Sequence, residues 1–285
     1  MRFAAYRSGE QDGLALAGLN GQFHGLLTED AGYPGPLDSL LLKGPTALDA
    51  AAAVLEKAPT INLNKVKLLP PLSSPGKIIC VGLNYVDHSL ESGFTPPDYP
   101  TIFARFSSSL VGAGAPIVRP RASTQLDYEG EMVAVIGVGG RHIPEDRALD
   151  HVIGYSIFND ASVRDFQMKS PQWTVGKNFD GTGAFGPYLV TADELPPGGK
   201  GLQVQTRLNG AVVQKASTAD MVFSIARLIS ILSDAMTLSA GDIIVSGTPA
   251  GVGMARKPPL YMKHGDVCEV EIEGIGILLN TIEDE

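Results

Sequence analysis

The chain reads as an α+β protein dominated by β-strands, with a small N-terminal α+β domain ahead of a larger β-rich one. Three observations carry this. Strand-like apolar runs recur from Lys77 to the C-terminus, among them EMVAVIGV and the strictly alternating CEVEIEGIGILLNTI. Asn-Gly pairs, strong short-range hairpin signals, stand at 20–21 and 209–210. Long helical patterns are few: ALDAAAAVLEKA, from Ala47 to Ala58, and the stretch from Ala219 to Met236, where Met221, Ile225, Leu228, Ile229 and Leu232 recur at core-facing spacing.

In chain order, FAAYR and GQFHGLLT are short strands, with His24 a packed or surface strand residue rather than a ligand. The Pro- and Ser-rich LLPPLSSPGK, residues 68–77, is the boundary. It leaves residues 1–70 as the small domain and 75–285 as the large one. Lys77 to Gly82 is a buried strand, Thr101 to Arg105 another, and Ser107 to Ser109 a polar turn. LQVQTRLNGAVVQKAS is a hairpin, and AGDIIVSGTPAGVG a strand entering a Gly-Pro loop whose amides and Thr248 face a ligand.

The overall balance excludes several classes. A net charge of −9 with no basic stripe argues against nucleic acid. Cys80 and Cys268 each lie inside an apolar strand, as buried free thiols do. No apolar run reaches membrane-spanning length and no signal-peptide pattern opens the chain, so a cytoplasmic protein with no membrane partner is expected.

The chemistry concentrates between Leu126 and Lys177. Alternate residues of a strand share a face about 7 Å apart along the chain. Glu129 and Glu131, at the head of EMVAVIGV, therefore point the same way. Alone, such a pair is the solvated face of an edge strand. Here Asp160 closes a second strand, VIGYSIFND, and Lys177 follows in WTVGK. Three carboxylates without cysteine or clustered histidine suit a hard dication, Mg2+ first, with Mn2+ or Ca2+ as alternatives, and a lysine offsets the residual charge. By contrast, Glu269, Glu271 and Glu273 have no such company and read as a solvated face.

His88 and Glu91 share a face if their segment is helical, and a carboxylate beside an imidazole orients it as a base. Gly93, Pro96 and Pro97 then bound a loop, which makes the segment a candidate lid. Arg105 and Arg119 are candidates for an anionic substrate. Asp160 is read as the N-cap of a helical turn from which Arg164 and Gln167 project together.

Taken in order, NYVDHSLESG, DYEGE, NDASVRDFQ, QWTVGK, LNG and GDIIVSGTPAGVG resemble the fumarylacetoacetate hydrolase family over residues 75 to 285. The resemblance implies a mixed β-roll catalytic domain, usually a homodimer. It implies Mg2+ or Mn2+ on Glu129, Glu131 and Asp160, a water-activating pair in His88 and Glu91, and an active-site lysine in Lys177. Substrate contacts fall on Arg164, Gln167 and Thr248. The family's usual lysine after the PxxF strand is Arg105 here, also assigned to substrate, a departure at the position that bears on the substrate's far end. The implied activity is hydrolysis of the C3–C4 bond of an acylpyruvate-type 2,4-dioxo acid to pyruvate and a carboxylic acid. Oxaloacetate decarboxylation or 2-hydroxy-dienedioate isomerisation on the same site, hydrolysis of a 2,4-dioxo sugar acid, and a non-catalytic metal-stabilised binding domain are the alternatives.

Overall fold

The computed structural model describes every residue except 92 and 94–96. The expected loop boundary at Pro96 lies outside the described residues. A mixed twelve-stranded sheet runs through the molecule. Its main path is Thr60–Ile61, Phe23–Leu27, Gln11–Ala17, Arg2–Ser8, Gly183–Thr191, Val152–Asp160, Gly130–Ile136, Ile243–Val245, Ile78–Gly82, Thr101–Arg105. The N-terminal strands thus continue the sheet of the later residues, through antiparallel pairing of Arg2 with Val190 and Phe3 with Leu189.

The two faces of this sheet are covered differently. Strand Gly130–Ile136 is buried throughout, and its side chains alternate between two cores. Val133 and Val135 pack with Phe158, Phe185 and Ile243 under helices Leu37–Leu42 and Pro45–Leu55, which contribute Leu37, Leu41, Leu48 and Leu55. Met132, Ala134 and Ile136 face the other way. They meet a five-stranded sheet bearing Val204, Val270 and Leu278, and helix Ile225–Ala235 bearing Leu228, Ile229 and Leu232.

Local chemistry explains most boundaries. The helix expected over Ala47–Ala58 spans Pro45–Leu55, opened by Pro45 in its first turn, where a missing N–H costs nothing. The helix expected from Ala219 starts later, because the Ser224 side chain accepts from the Arg227 N–H and caps it. Met221 therefore lies outside it. Asn209 (φ +51°) and Gly210 (φ +80°) form the tight turn between Gln203–Leu208 and Ala211–Ser217, as their pairing predicts. Glu269 and Glu271 lie on the half-exposed face of Val267–Ile272, where Arg207 bridges them at 3.0 and 2.6 Å. Both cysteines are buried and free. Among the described residues no helix is long and apolar enough to cross a membrane.

Candidate active site

Strand register assembles the acids. Glu131 lies opposite Phe158 across the antiparallel pair, so Asp160, two residues further on, shares its face. Past the last ladder pair, the Asp160 N–H donates to the Glu129 carbonyl at 2.8 Å. One oxygen from each of Glu129, Glu131 and Asp160 lies within 4.8 Å of the others, and all three side chains are buried. Glu131 lies on an internal strand, between Val152–Asp160 and Ile243–Val245, and Glu129 just before it is buried too, so the solvated edge-strand reading does not apply.

Lys177 closes the cluster. It ends the short helix Thr174–Lys177, whose Gly176 lies so close to Gln167 that an added Cβ would come within 2.3 Å of the Gln167 backbone nitrogen. The Lys177 ammonium donates to Glu129 Oε2 and Asp160 Oδ2, both at 2.6 Å. Burial alone would favour the neutral amine, but Asp160 and Glu129 outweigh it and raise the lysine pKa. Burial likewise opposes ionisation of Glu129, yet Lys177 and Arg164 bring it down to about 2. Glu131 goes the other way: burial, then Asp160 and Glu129, hold its pKa well above the usual range. One Glu131 oxygen accepts the Gly247 N–H at 2.5 Å. An all-oxygen, net-negative donor set of this kind fits a hard dication.

Arg164 follows the two-stranded pairing of Leu126–Asp127 with Ser162–Val163. Its Nη1 meets Gln167 Oε1 at 2.9 Å and Glu129 Oε1 at 2.6 Å, while Nη2 is buried with no partner among the described residues. Asp160 does not cap this helix as the sequence suggested. Val163 holds that position without a side-chain bond, and both Asp160 carboxylate oxygens bind cations instead.

The expected contact between His88 and Glu91 forms. His88 and Glu91 lie on helix Val86–Glu91, with His88 Nδ1 3.0 Å from Glu91 Oε1. Glu91 also accepts the N–H of Gly251 at 2.9 Å and of Val252 at 3.4 Å. His88, Glu129, Glu131, Arg164, Gln167, Lys177 and Thr248 border one small cavity. Its remaining wall is mainly apolar, with Val81, Leu83, Phe103, Trp173 and Met254.

Three expectations change. Arg105 is not in the cavity wall: it sits behind Asp160, donating to Asp160 Oδ1 at 2.5 Å and to Thr182 Oγ1 at 2.7 Å, fully buried. It supports an acid of the cluster instead of reaching a substrate. Arg119 pairs with Asp284 at the partly exposed end of the chain. The amides of the Gly-Pro loop face the protein's own acids, Glu131, Glu91 and Asp127, and the Thr248 hydroxyl bonds Gly130 O and Gln214 Nε2. Sequence reasoning missed Asp127, although it stands in period two with Glu129 and Glu131. It also missed Gln214, a buried glutamine that accepts the Gly130 N–H at 3.0 Å and carries no sequence signal.

Fold and cluster together define an oxygen-ligand centre at the end of a mixed sheet. Residues 77–283 match the family described as fumarylacetoacetate (FAA) hydrolase C-terminal, and the chain belongs to that family. A relative in Rattus norvegicus, a mitochondrial oxaloacetate tautomerase, is 41% identical over 268 residues, covering 93% of this chain and 85% of its own. Among solved structures, a fumarylacetoacetate hydrolase of Exiguobacterium antarcticum is 37% identical with a TM-score of 0.87, over 100% of both chains. A maleylpyruvate hydrolase of Sphingobium is 28% identical with a TM-score of 0.81, again over 100% of both.

Proposed function

We propose that this protein is a divalent-metal-dependent enzyme acting on small 2-oxo acids through an enol or enolate at C3, with keto–enol tautomerisation of oxaloacetate as its first reaction. The observation that carries this is the juxtaposition of the Lys177-bridged carboxylate cluster, the unpaired Arg164 Nη2 and the His88–Glu91 pair around one cavity. The tautomerase name of the rat relative supports the choice of reaction.

Held by Glu129, Glu131 and Asp160, Mg2+ or Mn2+ would supply Lewis-acid polarisation of the 2-oxo group. The chain's own groups do the rest. Arg164 offers its free Nη2 to a substrate carboxylate. The Lys177 ammonium donates to the oxygen at C2 as it gains negative charge. His88, its Nδ1 held by Glu91, uses Nε2 to move the proton at C3. The apolar wall of Phe103, Trp173 and Met254 excludes water from the transfer.

The His88–Glu91 pair also favours a second reading, hydrolysis of an acylpyruvate. There His88 takes a proton from water, which attacks C4. The C3–C4 bond breaks, and its electrons settle as the enolate of pyruvate, which Lys177 stabilises. The apolar wall argues against the polyhydroxylated end of a sugar acid. A homodimer and a cytoplasmic setting accompany this proposal, and light scattering tests the first. The reaction is tested with purified protein, Mg2+, oxaloacetate and an acylpyruvate panel. Faster loss of enol absorbance with oxaloacetate intact supports tautomerisation. Pyruvate plus a carboxylic acid from the panel marks the hydrolase, and carbon dioxide from oxaloacetate marks a decarboxylase.

A further inference from the structure

Asp127 opens the DYEGE motif, is fully buried, and belongs neither to the carboxylate cluster nor to the cavity wall. Its Oδ1 accepts the N–H of Tyr128 at 2.9 Å and of Gly253 at 2.7 Å. Its Oδ2 accepts Arg164 Nε at 2.8 Å and the Met254 N–H at 2.9 Å. A carboxylate has about four acceptor sites, so these bonds leave none for a metal ion or a reacting proton.

The bonds run in two directions. Toward the cavity, Asp127 fixes Nε of Arg164 while Gln167 and Glu129 fix Nη1. The guanidinium is planar, so holding two of its nitrogens aims the third. That third, Nη2, is a buried donor without a partner among the described residues. An orphaned buried donor is costly, and it persists here because its neighbours over-determine the plane. Toward helix Val86–Glu91, Gly253 and Met254 directly follow Gly251 and Val252, whose N–H groups hold Glu91, and Glu91 holds His88.

We propose that Asp127 is a positioning residue that keeps two elements in one register: the Arg164 donor for a substrate carboxylate, and the loop that seats the His88–Glu91 pair. The part concerning Arg164 rests on the proposed function; the part concerning the loop does not. In Asp127→Asn the shape is kept, but an amide NH2 replaces one acceptor and faces N–H donors, so at least one of the present bonds must open.

The test uses the full chain with two readouts: calorimetric binding of oxalate to the Mn2+-loaded protein, and amide hydrogen exchange. Asp127→Asn is expected to weaken oxalate binding about tenfold or more while Mn2+ affinity stays within about twofold. It also speeds exchange both at 251–254 and in Val86–Glu91. Arg164→Lys weakens oxalate similarly but leaves that exchange unchanged. The double variant binds oxalate no worse than Arg164→Lys, because Asp127 acts on the ligand through Arg164. Additive losses, unchanged exchange in Asp127→Asn, or parallel loss of Mn2+ would each overturn the proposal. Should Asp127→Asn not fold, Met254→Pro removes one donor from the loop side and carries the same exchange prediction. Wild-type protein that binds Mn2+ but no oxalate overturns the proposed function, and the exchange comparison still decides the role of Asp127.

Discussion

Lys177 Nζ lies 2.6 Å from Glu129 Oε2 and 2.6 Å from Asp160 Oδ2, a buried ammonium bridging two acids of the candidate metal cluster. Removing one partner of a buried ion pair costs about 3–5 kcal/mol, because the other charge is left uncompensated. Lys177→Met is therefore expected to melt well below the wild type in EDTA and to recover much of the difference with Mn2+. Its turnover of 2-oxo acids should be lost in both conditions. Equal melting temperatures in EDTA would show that the ammonium does not hold the cluster together.

Glu131 has one oxygen on the Gly247 N–H and lies within reach of Glu129 and Asp160. Glu131→Ala should abolish metal-dependent turnover while the far-ultraviolet circular dichroism spectrum is retained. Calorimetry should show Mn2+ affinity reduced by about 10–100-fold or more.

His88 and Glu91 meet at 3.0 Å, and Glu91 is anchored by the Gly251 N–H. His88→Ala should lower kcat by about 10²–10⁴-fold, the usual worth of a positioned base, and spare Mn2+ binding. Undiminished turnover in that variant would remove His88 from the role. Glu91→Ala frees the loop amides as well, so it should also raise KM.

Cys268 is pushed up to about 12 by burial, and Cys80 is raised by burial and then by Asp160 and Glu131. The thiolate is the reactive form, and at pH 8 a pKa near 12 leaves only about one thiol in 10⁴ ionised. Folded protein should give almost no colour with a disulfide reagent at pH 8, and both thiols should react in guanidinium. Rapid labelling of the folded chain would contradict the burial.

Much of this was legible in the sequence because it depended on local rules. Period two placed Glu129 and Glu131 on one face, Asn209-Gly210 set its turn, and i,i+3 spacing joined His88 to Glu91. What failed depended on distant partners. Nothing near Arg105 announces that Asp160 and Thr182 will enclose it. Ser224 displaced the expected start of the last helix by supplying a cap. Asp127 drew no reading of its own, because two of its partners are amides more than a hundred residues away at Gly253 and Met254.

In the proposed reaction Glu129, Glu131, Asp160 and Lys177 form a metal centre for enol chemistry. Its most direct test is the decay of enol-oxaloacetate absorbance with Mg2+ for the wild type and for Glu131→Ala, each repeated in EDTA. Decay above the protein-free Mg2+ rate is expected for the wild type alone, and EDTA should abolish it. Equal acceleration by Glu131→Ala, or acceleration that survives EDTA, would contradict it.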